Sequence, residues 1–115
     1  MNLQDREAVQ LLHSLGALYL RSGQQRRALI YLLLAIQIDP ADTALLRTLT
    51  NGFIATGDGE RALAAIGRLE QLEGSGMPLK FLRSRALWAL GAKDEARRCF
   101  RDYLDSRRAV TCSPD

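Results

Sequence analysis

Residues 9–42 read VQLLHSLGALYLRSGQQRRALIYLLLAIQIDPAD, and the spacing within this stretch decides the fold. Large apolar residues recur every three or four positions on both sides of Gly23. That is the pattern of two amphipathic helices joined by a tight turn. The small residues each have a physical reason. Gly16 and Ala28 allow the two helices to cross at close range. Gly23 has no Cβ and tolerates positive φ in the turn. Pro40 ends the second helix and opens the next unit.

Moving outward, the same pattern returns every 34 residues: Gly23, Gly57 and Gly91, then Ala28, Ala62 and Ala96. Leu32, Ile66 and Phe100 keep that register, as do Ala35, Leu69 and Tyr103, and Tyr19, Phe53 and Leu87. Five columns in one register with no insertion mark an internal repeat. With Leu12, Leu15-Gly16, Tyr19, Gly23, Ala28, Leu32, Ala35 and Pro40, the first copy resembles the tetratricopeptide (TPR) repeat. The resemblance implies an all-α fold of three tandem helix-turn-helix repeats (9–42, 43–76 and 77–108), six helices in a short right-handed superhelix. The expected helices lie near 5–22, 25–38, 42–56, 59–73, 79–90 and 93–107. Residues 1–108 form one domain and 109–115 a flexible tail. The second copy is looser, with Thr50 in place of the glycine. The third has Lys80, Arg83 and Ser84 where the first has Leu12, Leu15 and Gly16.

Composition narrows the function. Apolar residues make up 47% and charged residues 25% of the 115, as in ordinary globular proteins. The net charge is +3, but the excess is local. Residues 77–108 hold nine Lys or Arg against four acids; residues 1–76 hold seven against eight. Such a segment attracts acidic partners or forms a solvated helix face with pairs such as Asp94 and Arg98. Its aromatics do not interleave with the basic run, which argues against nucleic acid. One histidine, His13, and two cysteines without CxxC spacing leave no metal or cofactor site. No catalytic motif occurs, so a binding module is expected and an enzyme is not. Asp58 and Glu60 read as the cap and first turn of a helix. The first residues are not a signal peptide. No apolar run approaches the roughly 20 residues that span a bilayer.

In a TPR stack the first helix of each repeat lines a concave groove. Carried over position by position, the groove receives Gln10, His13, Ala17 and Leu20, then Ala44, Arg47, Asn51 and Ile54, then Pro78, Phe81, Arg85 and Trp88. An apolar band of Leu20, Ile54, Phe81 and Trp88 beside Arg47 and Arg85 suits an amphipathic helix or an extended apolar segment with acids. Trp88 is a candidate anchor, with packing beneath the last helix as its alternative. Ala28 to Ile36 is apolar on every side, which leaves Ile30, Leu33 and Leu34 without an evident partner. A homodimer, a wrapped client or a fold-back of the segment before Gln10 would each cover them. Phe100, Tyr103 and Leu104 stand where a following repeat would pack, and terminal repeats need a cap.

The carboxylate clamp of heat-shock TPR proteins needs basic and asparagine residues where this chain has His13, Ala17, Thr48, Pro78 and Leu82, so that specialisation fails. The chain is similar, over roughly residues 6–108, to the YscY/SctY family of type III secretion chaperones. The similarity rests on the Leu-rich first helix through Gly16 and Tyr19, on Gly59-Glu60-Arg61-Ala62, and on Asp94-Glu95-Ala96-Arg97 with Phe100 and Tyr103-Leu104. It implies a bacterial cytoplasmic protein that binds a small secreted SctX-like client. It also implies delivery of that client to the cytosolic domain of the export gate protein SctV, without nucleic acid or membrane insertion. A chaperone for the needle subunit or translocators, or a TPR scaffold in pilus or envelope assembly, is the alternative.

Overall fold

The computed structural model describes residues 1–111. Six helices follow one another: α1 (Leu3–Arg21), α2 (Gln25–Ile38), α3 (Thr43–Ala55), α4 (Gly59–Glu73), α5 (Met77–Leu90) and α6 (Lys93–Thr111). They form three antiparallel hairpins, α1/α2, α3/α4 and α5/α6, and each hairpin packs on the next through α2 with α3 and α4 with α5. The chain is therefore an all-α array of tandem helix-turn-helix repeats.

Local chemistry explains the boundaries. Asn2, Asp42 and Asp58 cap α1, α3 and α4 by accepting from the backbone N–H three residues on, at 2.8, 3.1 and 3.1 Å. These satisfy N–H groups that have no partner within the helix. Gly23, Gly57 and Gly91 adopt φ of 82°, 80° and 94° in the three intra-hairpin turns, a region costly for any residue with a Cβ. Pro78 sits in the first turn of α5, whose N-cap is Gly76.

The last helix is longer than expected. Residues 109–111 continue α6 and do not start a tail, since nothing from Arg107 to Thr111 breaks a helix. The remainder of the expected tail, 112–115, lies outside the described residues. Asp94 pairs with Arg97 at 3.2 Å, not with Arg98.

The core runs the length of the array. Leu32, Ala35, Leu45, Ala62, Ile66, Leu69 and Ala86 are wholly buried, and Val9, Leu46, Leu49, Phe53, Leu79 and Leu82 are nearly so. Gly16 lies in the α1/α2 crossing, where a Cβ would stand 2.5 Å from Leu32 Cγ. Its counterparts are Thr50 and Ser84. Both are buried, and each hydroxyl donates back to a carbonyl of its own helix, Leu46 and Phe81, at 2.7 Å. A small residue that satisfies itself is all this position requires.

The irregular start of the third repeat has a polar explanation. Lys80 donates to Ser106 Oγ at 2.8 Å, and Arg83 forms an ion pair with Glu70 of α4. α5 thus docks through polar ties where the first repeat uses leucines.

Candidate protein-binding surface

The 34-residue register allows each position to be compared with its own counterparts. Leu32 and Ile66, in the hairpins on which α3 and α5 respectively pack, are 0% exposed; their counterpart Phe100 is 40% exposed. Leu69 is fully buried, while Tyr103 is half-buried and Leu104 exposed. No element among the described residues follows α6. The α5/α6 hairpin therefore turns outward the surface on which the other two hairpins each receive a helix.

On this end Phe81, Phe100 and Tyr103 form a cluster, with ring centroids 5.1 to 6.2 Å apart. Phe81, Trp88 and Phe100 line a hollow of about 250 Å³ with Ser84, Arg85 and Arg97. A second hollow, of about 460 Å³, opens on the other side of Phe81 toward Pro78, Tyr103 and Arg107. Arg47 and Asn51 reach it from α3, so it joins the aromatic cluster to the concave groove. Trp88 is 52% exposed and does not pack beneath α6. Lys93 and Arg97 hold their cations 5.3 and 5.8 Å from its ring, a favourable arrangement with the ring quadrupole. Ile54 shares a further hollow with Arg85 and Trp88.

The charged side chains that line the hollows have one sign. Among the described residues four arginines, Arg47, Arg85, Arg97 and Arg107, line the first two hollows, and no carboxylate does. Arg47 is paired with Glu73 at 2.6 Å and Arg97 with Asp94 at 3.2 Å. Arg85 instead donates to the neutral Asn51 Oδ1 at 2.8 Å, so its charge is oriented but not neutralised. His13 Nε2 lies 2.8 Å from Thr48 Oγ1, which ties α1 to α3 on the same concave side.

The residues expected to meet a partner are thus spread over three regions. Arg47, Asn51, Ile54, Phe81, Arg85, Trp88, Phe100 and Tyr103 come together around the α3/α5/α6 end. Leu20 is half-buried on α1, away from these hollows. Ile30 and Leu34 are 60% and 51% exposed on the outer side of α2, so the segment before Gln10 does not cover them. It is instead the first two turns of α1. Leu33 is a correction. It is half-buried and packed against the core, because it shares with Leu29 and Ile36 the stripe of α2 that faces α3.

Two exposed leucines of α1 were not among the expected contact residues. Leu11 and Leu18 of α1 are 62% and 54% exposed, although Leu45, the counterpart of Leu11, is fully buried. The third and tenth columns of the repeat carry that signal. The arginines of α6 were legible as a charge excess but not as the rim of an aromatic surface.

Cys99 is half-buried and its Sγ donates to the Lys80 carbonyl at 3.3 Å. Burial raises its pKa above the ordinary thiol value, against the smaller opposing effect of Arg83. Cys112 lies outside the described residues. No described helix is long and apolar enough to cross a membrane.

Residues 9–42 match the family model described as Tetratricopeptide repeat. A search of curated proteins returns no match. With the first hairpin matching that model and the next two repeating its geometry at 34-residue intervals, the chain is a TPR-type array, a fold that serves as a scaffold for protein–protein contacts.

Proposed function

We propose that the chain is a chaperone of the YscY/SctY kind. It would act in the bacterial cytoplasm, hold a small secreted SctX-like client, and bring it to the cytosolic domain of the export gate protein SctV. The observation that carries the reading is the comparison within the repeat. The surface buried at Leu32 and Ile66 lies open at Phe100, beside aromatics and oriented arginines. A client that folds poorly alone gains stability by covering such a surface, and the chaperone gains with it by mass action. The client lies over Phe81, Trp88, Phe100, Tyr103 and Leu104 and continues into the concave side past Arg47, Asn51, Ile54, Arg85 and Leu20. The outer aliphatic residues of α2, Ile30 and Leu34, stay available for a second contact, with the gate protein or, when no client is present, with another copy of the chain.

Co-expression with the genes encoded beside it tests this reading. The expected result is a complex of defined mass with a small partner that is insoluble when expressed alone. Purification of the chain by itself, with no neighbouring product attached under low salt, would refute the chaperone assignment.

A further inference from the structure

The end surface of α5/α6 carries information about the helix that fits it, because the same junction is built twice inside the chain. This inference rests on the reading that the end is a docking surface, and it specifies the chemistry of the occupant.

Each internal junction has a glycine at which an added Cβ would press on the neighbouring helix. Between the first and second hairpins it is Gly52 of α3, where a Cβ would stand 2.9 Å from Leu29 Cδ2 of α2. Between the second and third it is Gly59 of α4, where a Cβ would stand 2.5 Å from Leu90 N and 2.7 Å from the Ala86 carbonyl of α5. The receiving side of a third such junction would be α6, and α6 has Lys93 at the register of Gly59. The small residue therefore has to come from the incoming helix. A second copy of this chain would bring α1, which has Leu18 at the register of Gly52 and Ala86. Head-to-tail stacking in the geometry of the internal junctions thus places two large side chains where both existing junctions have space for at most one. The apolar ends of the chain do not fit each other.

Charge defines the rest of the occupant. In the existing junction Asn51 of one hairpin accepts from Arg85 of the next. Shifted by one repeat, Arg85 faces the same register of the incoming helix. With Arg97 and Arg107 also at the rim and no described carboxylate in the two hollows, an acid at that register is the complementary partner. We infer that the α5/α6 end binds a helix of another protein, with a glycine, alanine or serine at the close-approach position and an Asp or Glu one residue before it.

The full-length chain and three labelled peptides test this by fluorescence anisotropy. Each peptide comprises residues 42–57, the segment that caps the first hairpin, stapled as a helix on its solvent face. The acidic peptide carries Arg47→Glu and Asn51→Asp. The basic peptide carries Asn51→Lys. The third is the acidic peptide with Gly52→Leu added. The acidic peptide is expected to bind at least about tenfold tighter than the basic one at low salt, with the gap closing as salt rises. The Gly52→Leu peptide is expected to bind at least about tenfold more weakly than its parent. Equal affinity of the acidic and basic peptides, or no loss with Gly52→Leu, overturns the stated chemistry while leaving a docking surface in place. Failure of all three to bind at millimolar concentration removes the docking surface itself. Sedimentation of the chain alone as a growing head-to-tail polymer would overturn the exclusion of a second copy.

Discussion

Gly59 and Gly67 lie in the same helix, yet only one has room for a methyl group. A Cβ at Gly59 meets backbone atoms of α5 at 2.5 to 2.7 Å, while a Cβ at Gly67 meets nothing within 4 Å. Backbone cannot move aside as a flexible side chain can. Gly59→Ala should therefore destabilise the chain by about 1–3 kcal/mol, the usual range for overpacking. Gly67→Ala should stabilise it by about 0.5–1 kcal/mol through helix propensity. Urea titration followed by circular dichroism reads both; equal effects of one sign would show that the close approach of α4 and α5 is misplaced. The same scale governs Cys99. Burial favours its neutral thiol, so the reactive thiolate forms only at higher pH than for a free thiol. In a Cys112→Ser variant, alkylation by iodoacetamide should lag behind glutathione near pH 8 and rise at more alkaline pH. A rate profile matching glutathione would mean that Cys99 is open to solvent.

Helix α2 shows what the sequence displayed and what it concealed. Its all-round apolar character was legible, and so was the core stripe of Ala28, Leu32 and Ala35, because these columns recur with each repeat. The partner of Leu33 was not legible. The position holds Gly67 and Arg101 in the other repeats, so no column marked it as core, and only the folded array packs it against the core. Leu33→Asp should therefore lower stability by about 2 kcal/mol or more, because it removes a packed side chain and sets a carboxylate against the core, and a melt of the isolated chain measures this. Leu34→Asp, on the exposed side, should stay within about 0.5 kcal/mol. Equal loss from both would return Leu33 to the surface. α5 was hard to read for a related reason. Lys80 and Arg83 break the apolar pattern because their partners, Ser106 and Glu70, lie on other helices and 13 to 26 residues away in sequence. α6 was legible in its core register but not in its length, since no turn residue appears before the end of the described helix.

At the scale of the whole molecule, stability in a repeat array comes from each hairpin and from its junctions with its neighbours. Two junctions are complete here, and the residues that would build a third are exposed on α5 and α6. The number of repeats and the position of every hairpin were readable from the 34-residue period alone. The sign and direction of the end surface were not, because they depend on Arg85 being held by Asn51 and on three aromatic rings meeting from two helices. An open aromatic face with oriented cations has the composition of hot-spot surfaces, in which a few aromatics and arginines dominate affinity.

Trp88 is the only tryptophan in the chain and stands at the centre of this account, 52% exposed between the concave groove and the α6 rim. Its fluorescence therefore reports directly on whether the α5/α6 end is where a partner sits. The decisive measurement compares emission and acrylamide quenching of Trp88 in the free chain and in a co-purified complex of known mass, with tryptophan in the partner replaced by phenylalanine. With the partner seated on the α5/α6 end, emission shifts to shorter wavelength and quenching falls several-fold in the complex. Unchanged emission with unchanged quenching would contradict that seating and place the partner elsewhere on the array.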